Sequence, residues 1–581
     1  MRADPTWRFV IVPVCLAVLL AQLMFVNART SMTWDEGHHL FDGYTALRYG
    51  DFDLNPEVPP VAKLTAALLL LPMHLKVPQQ QGRDSQLEAF LDGKVFLFGN
   101  DANALLTRGR LMIACFTLLL AWMVYRAGSA YFGWKSGVVA LLFLVFDPNL
   151  LAHGALVTTD AAITCLFFAT LLCWNGYVDT PSWRRLLLTG VVLGCAFATK
   201  FTGLLLAPIL FALALLEAMR DRSWRVLLRR VLALAAMTVL AWVVLWAFYR
   251  FRYSIRPNGL AMNPALPAYL ERYASVGNPH PLAFLARWKL LPEAYIWGLI
   301  NTKLTEQRDL SYLFGTLRRH GTSMYFPAAI AVKSTLPFLV LLGLSAWTLF
   351  QRDARRYAVV RLLIPAGLFL AVAMHSSMNI GIRHILPIYP LLYCCGAYAL
   401  VFVARQRPAW VWAGAVLLAF QVATSVAAAP AYIAYANELW GGPQQVHRYL
   451  SDSNSDWGQQ LKTAGAYLRE HHISDCWIAY TAEGTVDRDF YGVPCKPLPT
   501  AASLWWFQEP MQVPDVISGT VLVSDDMLSG VDDEGAVHPY AAFRQIKPVA
   551  VLQGGLFVYV GTFAVPQEAA QVRAANAAFR R

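Results

Sequence analysis

The chain has 581 residues, 57% of them hydrophobic and 15% charged, with a formal net charge of +11. At a mean hydropathy of +0.43 it is too apolar for a water-soluble protein of this length. Its basic residues gather in short loops between apolar runs, which points to membrane orientation and away from nucleic acid.

The first apolar run, Phe9 to Val26, follows Arg2 and Arg8 and has no small-residue cleavage site before Asp35. It reads as an uncleaved helix with a cytoplasmic N-terminus, in preference to a signal peptide. Basic loops recur at Arg126 to Lys135, Arg184-Arg185, Arg220 to Arg230, Arg352 to Arg361 and Arg405 to Arg407. Placing them in the cytoplasm predicts about eleven spans. These fall near 9–27, 107–126, 133–147, 158–177, 185–199, 202–219, 230–249, 326–350, 360–377, 385–404 and 409–428, with the fifth and sixth short. The odd number puts the C-terminus outside, and the chain becomes a multi-pass protein of the plasma (inner) membrane.

Three long segments then lie on the outer face: 28–106, 250–325 and the tail. Pro257, Pro264, Pro267, Pro279, Pro281 and Pro292 break the second into short pieces, some amphipathic enough to lie along the interface. In the tail, the runs 477–480, 521–523 and 556–560 read as strands and Gln459 to Arg469 as a helix. The expected organisation is a membrane region over 1–428 and a small extracytoplasmic α/β domain over 429–581. Cys476 and Cys495 are the two cysteines of the tail, and a disulfide between them suits an oxidising outer space.

Acidic side chains at a membrane surface lose hydration unless a partner or a reaction needs them. Trp34-Asp35-Glu36-Gly37-His38-His39 follows the first span, and a carboxylate there can take a proton from a nucleophile. Asp35 is the first candidate, with Glu36 beside it; both also suit the cap of a helix beginning near Gly37. Glu57 stands in a stiff frame of Pro56, Pro59 and Pro60, which suits a divalent cation or a cationic substrate, or the start of a helix at Val61. Asp147 and Asp160 flank 148–159 on the same expected face, and Thr158-Thr159-Asp160 also suits an N-cap. Lys200, Lys333, Arg383 and His384 are basic on the outer side, against the positive-inside bias. Together they match a phosphate, although each one singly can be a snorkelling side chain. No P-loop, zinc-peptidase motif or Gly-x-Ser-x-Gly is present.

Asp35-Glu36, the 55–63 loop Asn-Pro-Glu-x-Pro-Pro-x-Ala-Lys, Asp147-Pro148-Asn149 leading to Thr159-Asp160, and the run 381–387 around Arg383-His384 resemble the bacterial relatives of protein O-mannosyltransferases (glycosyltransferase family 39). More distantly they resemble the aminoarabinose transferases that modify lipid A. The resemblance continues into 451–459, Ser-Asp-Ser-Asn-Ser-Asp-Trp-Gly-Gln. It implies a polytopic α-helical GT-C fold and an inverting transfer from a polyprenyl-phosphate sugar to a protein, lipid or glycan acceptor. Asp35 would orient or deprotonate the acceptor, with Asp160 as the second acidic residue. Lys200, Arg383 and His384 would neutralise the departing phosphate, and Glu57 matches a metal-associated glutamate. Val58 departs from the pattern, since protein mannosyltransferases often carry histidine near it. A transporter or flippase of lipid-linked sugars is the alternative, and a scaffold whose tail binds a partner is a third class. Against transport, the charges lie at one face and no paired internal repeat is visible.

Overall fold

The computed structural model describes residues 8–254, 256, 259–308, 310–351, 353, 355–500, 514–531 and 540–564. Arg2, Pro257 and Arg352 lie outside the described residues. Eight helices among those described are long and apolar enough to cross a membrane. They are Val10–Arg29, Ala102–Phe132, Asp160–Asp179, Phe201–Asp221, Trp224–Phe248, Arg356–His375, Ile382–Gln406 and Ala409–Ala428. The chain is therefore a multi-pass membrane protein, as its composition predicts.

The other three expected spans are shorter, for identifiable reasons. Gly133, at φ +96°, breaks the path after Phe132, and the helix Trp134–Val145 runs back. It stops before Pro148, whose ring favours the extended conformation seen at Asp147. Trp183–Phe197 is only 15 residues long. The span expected over 326–350 is two pieces, Tyr325–Lys333 and Leu336–Thr348. Between them, the Thr335 hydroxyl caps the second by accepting from Phe338 N–H at 3.3 Å, and Pro337 lacks the N–H that would continue the first.

Ile382–Gln406 is buried along nearly its whole length and forms the central post of the bundle. At one end of the bundle, Arg361 donates to Asn175 Oδ1 at 2.7 Å and pairs with Asp179 at 3.0 Å. Arg230 pairs with Glu217 at 3.1 Å on the same end. Asp35, Glu57, Lys200, Arg383 and His384 meet at the other end.

There, the first segment folds into helices Glu36–Arg48, Val61–Ala67 and Ser85–Phe98. Glu36–Arg48 is buried over most of its length because two glycines let its neighbours touch its backbone. A Cβ on Gly43 would meet Lys63 O at 2.1 Å, and one on Gly93 would meet His38 Cα at 2.8 Å. The second segment forms helices Leu266–Ala274, His280–Arg287 and Glu293–Arg308 and a hairpin pairing Leu310–Leu313 with Thr316–Arg319.

The tail holds a five-stranded mixed sheet. In spatial order its strands are Lys496–Pro497, Cys476–Ala479, Val516–Ser524, Leu556–Ala564 and Ala550–Leu552. The first three are parallel and the last two pair antiparallel. The helix Leu461–Glu470 lies near its predicted position, and Cys476 is bonded to Cys495. The tail does not hang free. Trp34 N–H donates to Trp457 O at 2.9 Å, Ser31 N–H to Gln459 O at 3.1 Å, and Leu461 N–H to Ser31 Oγ at 3.0 Å. Residues 457–461 thus run beside 31–34, where the first span ends.

Candidate active site

A cavity of about 380 Å³ opens where these segments meet, within the size range of small-molecule sites. Trp34, Asp35 and Glu57 line it from the first segment, Lys200 from a turn between helices, and Arg383 and His384 from the start of the central helix. Asn301, Thr302 and Thr305 of Glu293–Arg308 contribute a second wall. Asp452, Trp457, Thr481 and Asp526 of the tail complete it.

Asp35 stands at the N-terminal end of Glu36–Arg48 but makes no side-chain cap. Its side chain is 22% exposed, with Oδ2 3.7 Å from Arg383 Nη1 and Oδ1 3.9 Å from His38 Nε2. Burial alone would raise its carboxyl, but His38, Arg383 and His39 outweigh that and hold it below the ordinary range. It is therefore ionised at neutral pH and reachable from the cavity.

Glu36 is placed differently from its neighbour. It is fully buried and does not line the cavity. Arg110 grips it with two hydrogen bonds, Nε to Oε1 at 2.7 Å and Nη2 to Oε2 at 2.6 Å. The backbone N–H groups of Thr33 and Val157 donate to it as well, at 2.9 and 3.0 Å. Burial opposes its charge, and Arg110 more than offsets that and lowers its pKa. The expected catalytic position of Glu36 gives way to a clasp between the first loop and the helix Ala102–Phe132. The signal was present in the sequence, since an arginine within an apolar span calls for a buried partner.

Asp160 is the first residue of its helix, and Thr159 before it makes no side-chain cap. The carboxylate is 1% exposed and lies behind the cavity wall. Oδ1 is 2.6 Å from Lys200 Nζ, and Oδ2 is 3.7 Å from Arg383 Nη1. Asp160 thus holds two cations whose other faces line the cavity. Arg383 is fixed further by donating from Nε to Ser453 Oγ at 2.9 Å and by lying 4.0 Å over the Trp457 ring. His384 lines the cavity beside them, its buried Nε2 without a hydrogen-bond partner among the described residues.

Lys333 is not part of this cluster. It is 1% exposed and donates to the carbonyls of Ile433 at 2.5 Å and Asn454 at 2.7 Å, so its side chain anchors the approach to the tail. Asp147 caps the short helix Pro148–His153, accepting from Asn149 N–H at 2.8 Å and Leu150 N–H at 3.2 Å. Glu57 lines the cavity and accepts from Gln86 Nε2 at 3.2 Å. Burial raises its pKa, partly offset by His38. Among the described residues no three His, Cys, Asp or Glu side chains converge in a way that fits a resident metal, and we assign none to Glu57.

Sequence reasoning passed over Asp452, which lines the cavity from a left-handed backbone position at φ +58°. Burial pushes its carboxyl up to about 6, against the pull of Arg383. It stands in the segment 451–459, whose acidic and aromatic residues were the available signal. Asn454 fixes that segment, accepting from Ile382 N–H at 3.0 Å and donating to Tyr325 OH at 2.7 Å.

Residues 91–246 match the family model of dolichyl-phosphate-mannose-protein mannosyltransferases. No curated protein matches the chain. Among solved structures, ArnT from Cupriavidus metallidurans in the apo state is 16% identical with a TM-score of 0.48, over 95% of this chain and 97% of that one. The same protein bound to undecaprenyl phosphate is 15% identical with a TM-score of 0.47, over 96% and 98%. The oligosaccharyltransferase of Archaeoglobus fulgidus is 13% identical with a TM-score of 0.44, over 90% of this chain and 70% of that one.

Proposed function

We propose that this chain is a membrane glycosyltransferase that moves a sugar from a polyprenyl-phosphate donor to an extracytoplasmic acceptor, with inversion. One observation carries the reading: a reachable, ionised carboxylate at Asp35 shares a cavity with Lys200, Arg383 and His384 at one end of the bundle. The match of residues 91–246 to the mannosyltransferase family supports it.

In this mechanism the acceptor hydroxyl or amine gives its proton to Asp35 and attacks the anomeric carbon. The bond from that carbon to the phosphate oxygen breaks, and the lipid phosphate leaves with the electron pair. Lys200, Arg383 and His384 stabilise the charge that develops there, which the reaction needs most. Asp160 holds two of those cations in place. The helix Glu293–Arg308 covers the site, and the prenyl tail lies between bundle helices. Basic loops at the opposite end set the orientation, with the N-terminus cytoplasmic and the site and tail outside.

The test compares wild type with Asp35→Asn in membranes at matched amounts of folded protein. Radiolabelled polyprenyl-phosphate sugars are supplied with a native extract, and the products are separated into protein, lipid and glycan fractions. Transfer is expected to fall at least about 100-fold in the variant. Equal transfer by both removes Asp35 from the chemistry. Movement of lipid-linked sugar across the bilayer without transfer replaces the enzyme with a flippase.

A further inference from the structure

One turn beyond Asp35, the same helix carries His38, 2% exposed. Its ring is clamped between neighbours: the Phe90 ring packs edge-on with centroids 4.4 Å apart, and the His39 ring lies at 4.3 Å. Its backbone is pinned as well, since Gly93 leaves no room for a Cβ against it.

The two ring nitrogens face different groups. Nδ1 is 3.1 Å from Asn55 Nδ2 and 3.4 Å from Asp42 Oδ2. Asn55 Oδ1 already accepts the Glu57 N–H at 3.3 Å, which turns its NH₂ toward the ring. Asp42 lies 3.4 Å from Lys63 Nζ, and that ammonium also donates to Asn55 O at 2.7 Å. With Nδ1 accepting from Asn55, the ring hydrogen sits on Nε2; in the charged ring both nitrogens carry one. In either state Nε2 bears a hydrogen, and it has no hydrogen-bond partner among the described residues. The carboxylate in front of it is Asp35, with Oδ1 at 3.9 Å.

We propose that His38 is a positioning residue for Asp35: its Nε2–H fixes Oδ1, leaving Oδ2 for the acceptor, while Asn55, Asp42 and Lys63 stop the ring from turning. This rests on the reading of Asp35 as the group that takes the acceptor's proton. The 3.9 Å separation is longer than a hydrogen bond. A small rotation of Asp35 closes it, and catalytic hydrogen bonds commonly tighten when substrate binds. A buried N–H left unpaired costs free energy, which favours that rotation. The titratable and charged groups facing His38 are Asp35, His39 and Asp42 on its own helix, Lys63 on the next, and Glu57 on the loop between them.

The test uses the full chain in lipid nanodiscs, with kcat and KM for the donor measured against pH. His38→Leu removes the N–H, and His38→Gln keeps one at similar reach. The leucine variant is expected to lower kcat about 100-fold, to leave KM within about twofold, and to move the acid limb of kcat to higher pH. The glutamine variant recovers at least about tenfold of that loss and restores the limb. Equal losses in the two, with the limb unmoved, overturn the proposal in favour of packing. A second measurement needs neither variant nor turnover: nitrogen-15 histidine spectra of wild type and Asp35→Asn. A shift of the His38 Nε2 signal on loss of the Asp35 carboxylate is expected, and an unchanged signal overturns the contact. If wild type transfers no sugar at all, the enzyme reading fails while the spectra still decide the His38–Asp35 contact.

Discussion

Replacing Arg110 with methionine is the sharpest test of how the site is held together. Arg110 is 2% exposed within a membrane helix and makes five hydrogen bonds: two to Glu36, and one each to Asn27 O, Thr30 Oγ1 and Ser31 O. Methionine fills much of the volume but leaves the fully buried Glu36, among the described residues, with the Thr33 and Val157 N–H groups alone. Removing one partner of a buried pair costs about 3–5 kcal/mol, because the remaining charge is uncompensated. The freed carbonyls of Asn27 and Ser31 end the first span, so the loss is expected to loosen the loop that carries Asp35. Removing both charges, in Arg110→Met with Glu36→Gln, should return at least half of the stability. The assay is thermal unfolding in detergent or nanodiscs, with sugar transfer measured below the transition. The reasoning is refuted if Arg110→Met melts like wild type while Glu36→Gln alone abolishes transfer. Glu36 would then belong to the chemistry.

Arg383→Lys keeps the charge but loses the Ser453 hydrogen bond and the stacking on Trp457, so transfer should fall about 10- to 100-fold with the fold intact; wild-type rates would show that charge alone suffices. Changing Cys476 and Cys495 to serine opens a loop with a sequence separation of 19. The tail should lose about 3 kcal/mol on the chain-entropy account, read as earlier proteolysis within 476–495, and unchanged digestion would contradict it. Asp525 is buried, and burial with the nearby Asp456 charge pushes its carboxyl up to about 7, against the Ser455 hydroxyl and Arg544. A folded pKa above the unfolded one gives stability that is full below about pH 4 and is lost as pH rises through about 7, on the order of 3–4 kcal/mol at most. Wild type should therefore melt earlier at pH 8 than at pH 5, and Asp525→Asn should show a shallower dependence. An identical slope in the variant would remove Asp525 as the cause.

The membrane helices were legible because apolar length and basic loops are local signals, and every expected span has a helix near it. What composition missed was interruption. Thr335 and Pro337 split one span within a run that hydropathy reads as continuous. The strands at Cys476–Ala479, Val516–Ser524 and Leu556–Ala564 were visible as apolar runs, whereas Lys496–Pro497 and Ala550–Leu552 are too short to show a period. The site was legible as residue types and not as partnerships. Lys333 and Lys200 both looked like outer-face cations, yet one anchors two carbonyls and the other faces Asp160. Asp452 and Trp457 reach the cavity only because 457–461 pairs with 31–34, a contact more than 400 positions apart in the chain.

Partnership also decides which carboxylate can do chemistry. Glu36, Asp147 and Asp160 are nearly inaccessible, and each is already engaged: by Arg110, by two backbone N–H groups, and by Lys200 with Arg383. Protonating any of them would break contacts that hold the loop, the turn or the cations. Asp35 differs in the geometry of its contacts, since its ion-pair distances of 3.7 and 3.9 Å are longer than hydrogen bonds and its side chain is 22% exposed. It is close enough to positive charge to stay ionised, and open enough to accept a proton without taking the site apart. A base in a charged cavity needs both properties, and among the acids singled out beside the first span only Asp35 combines them.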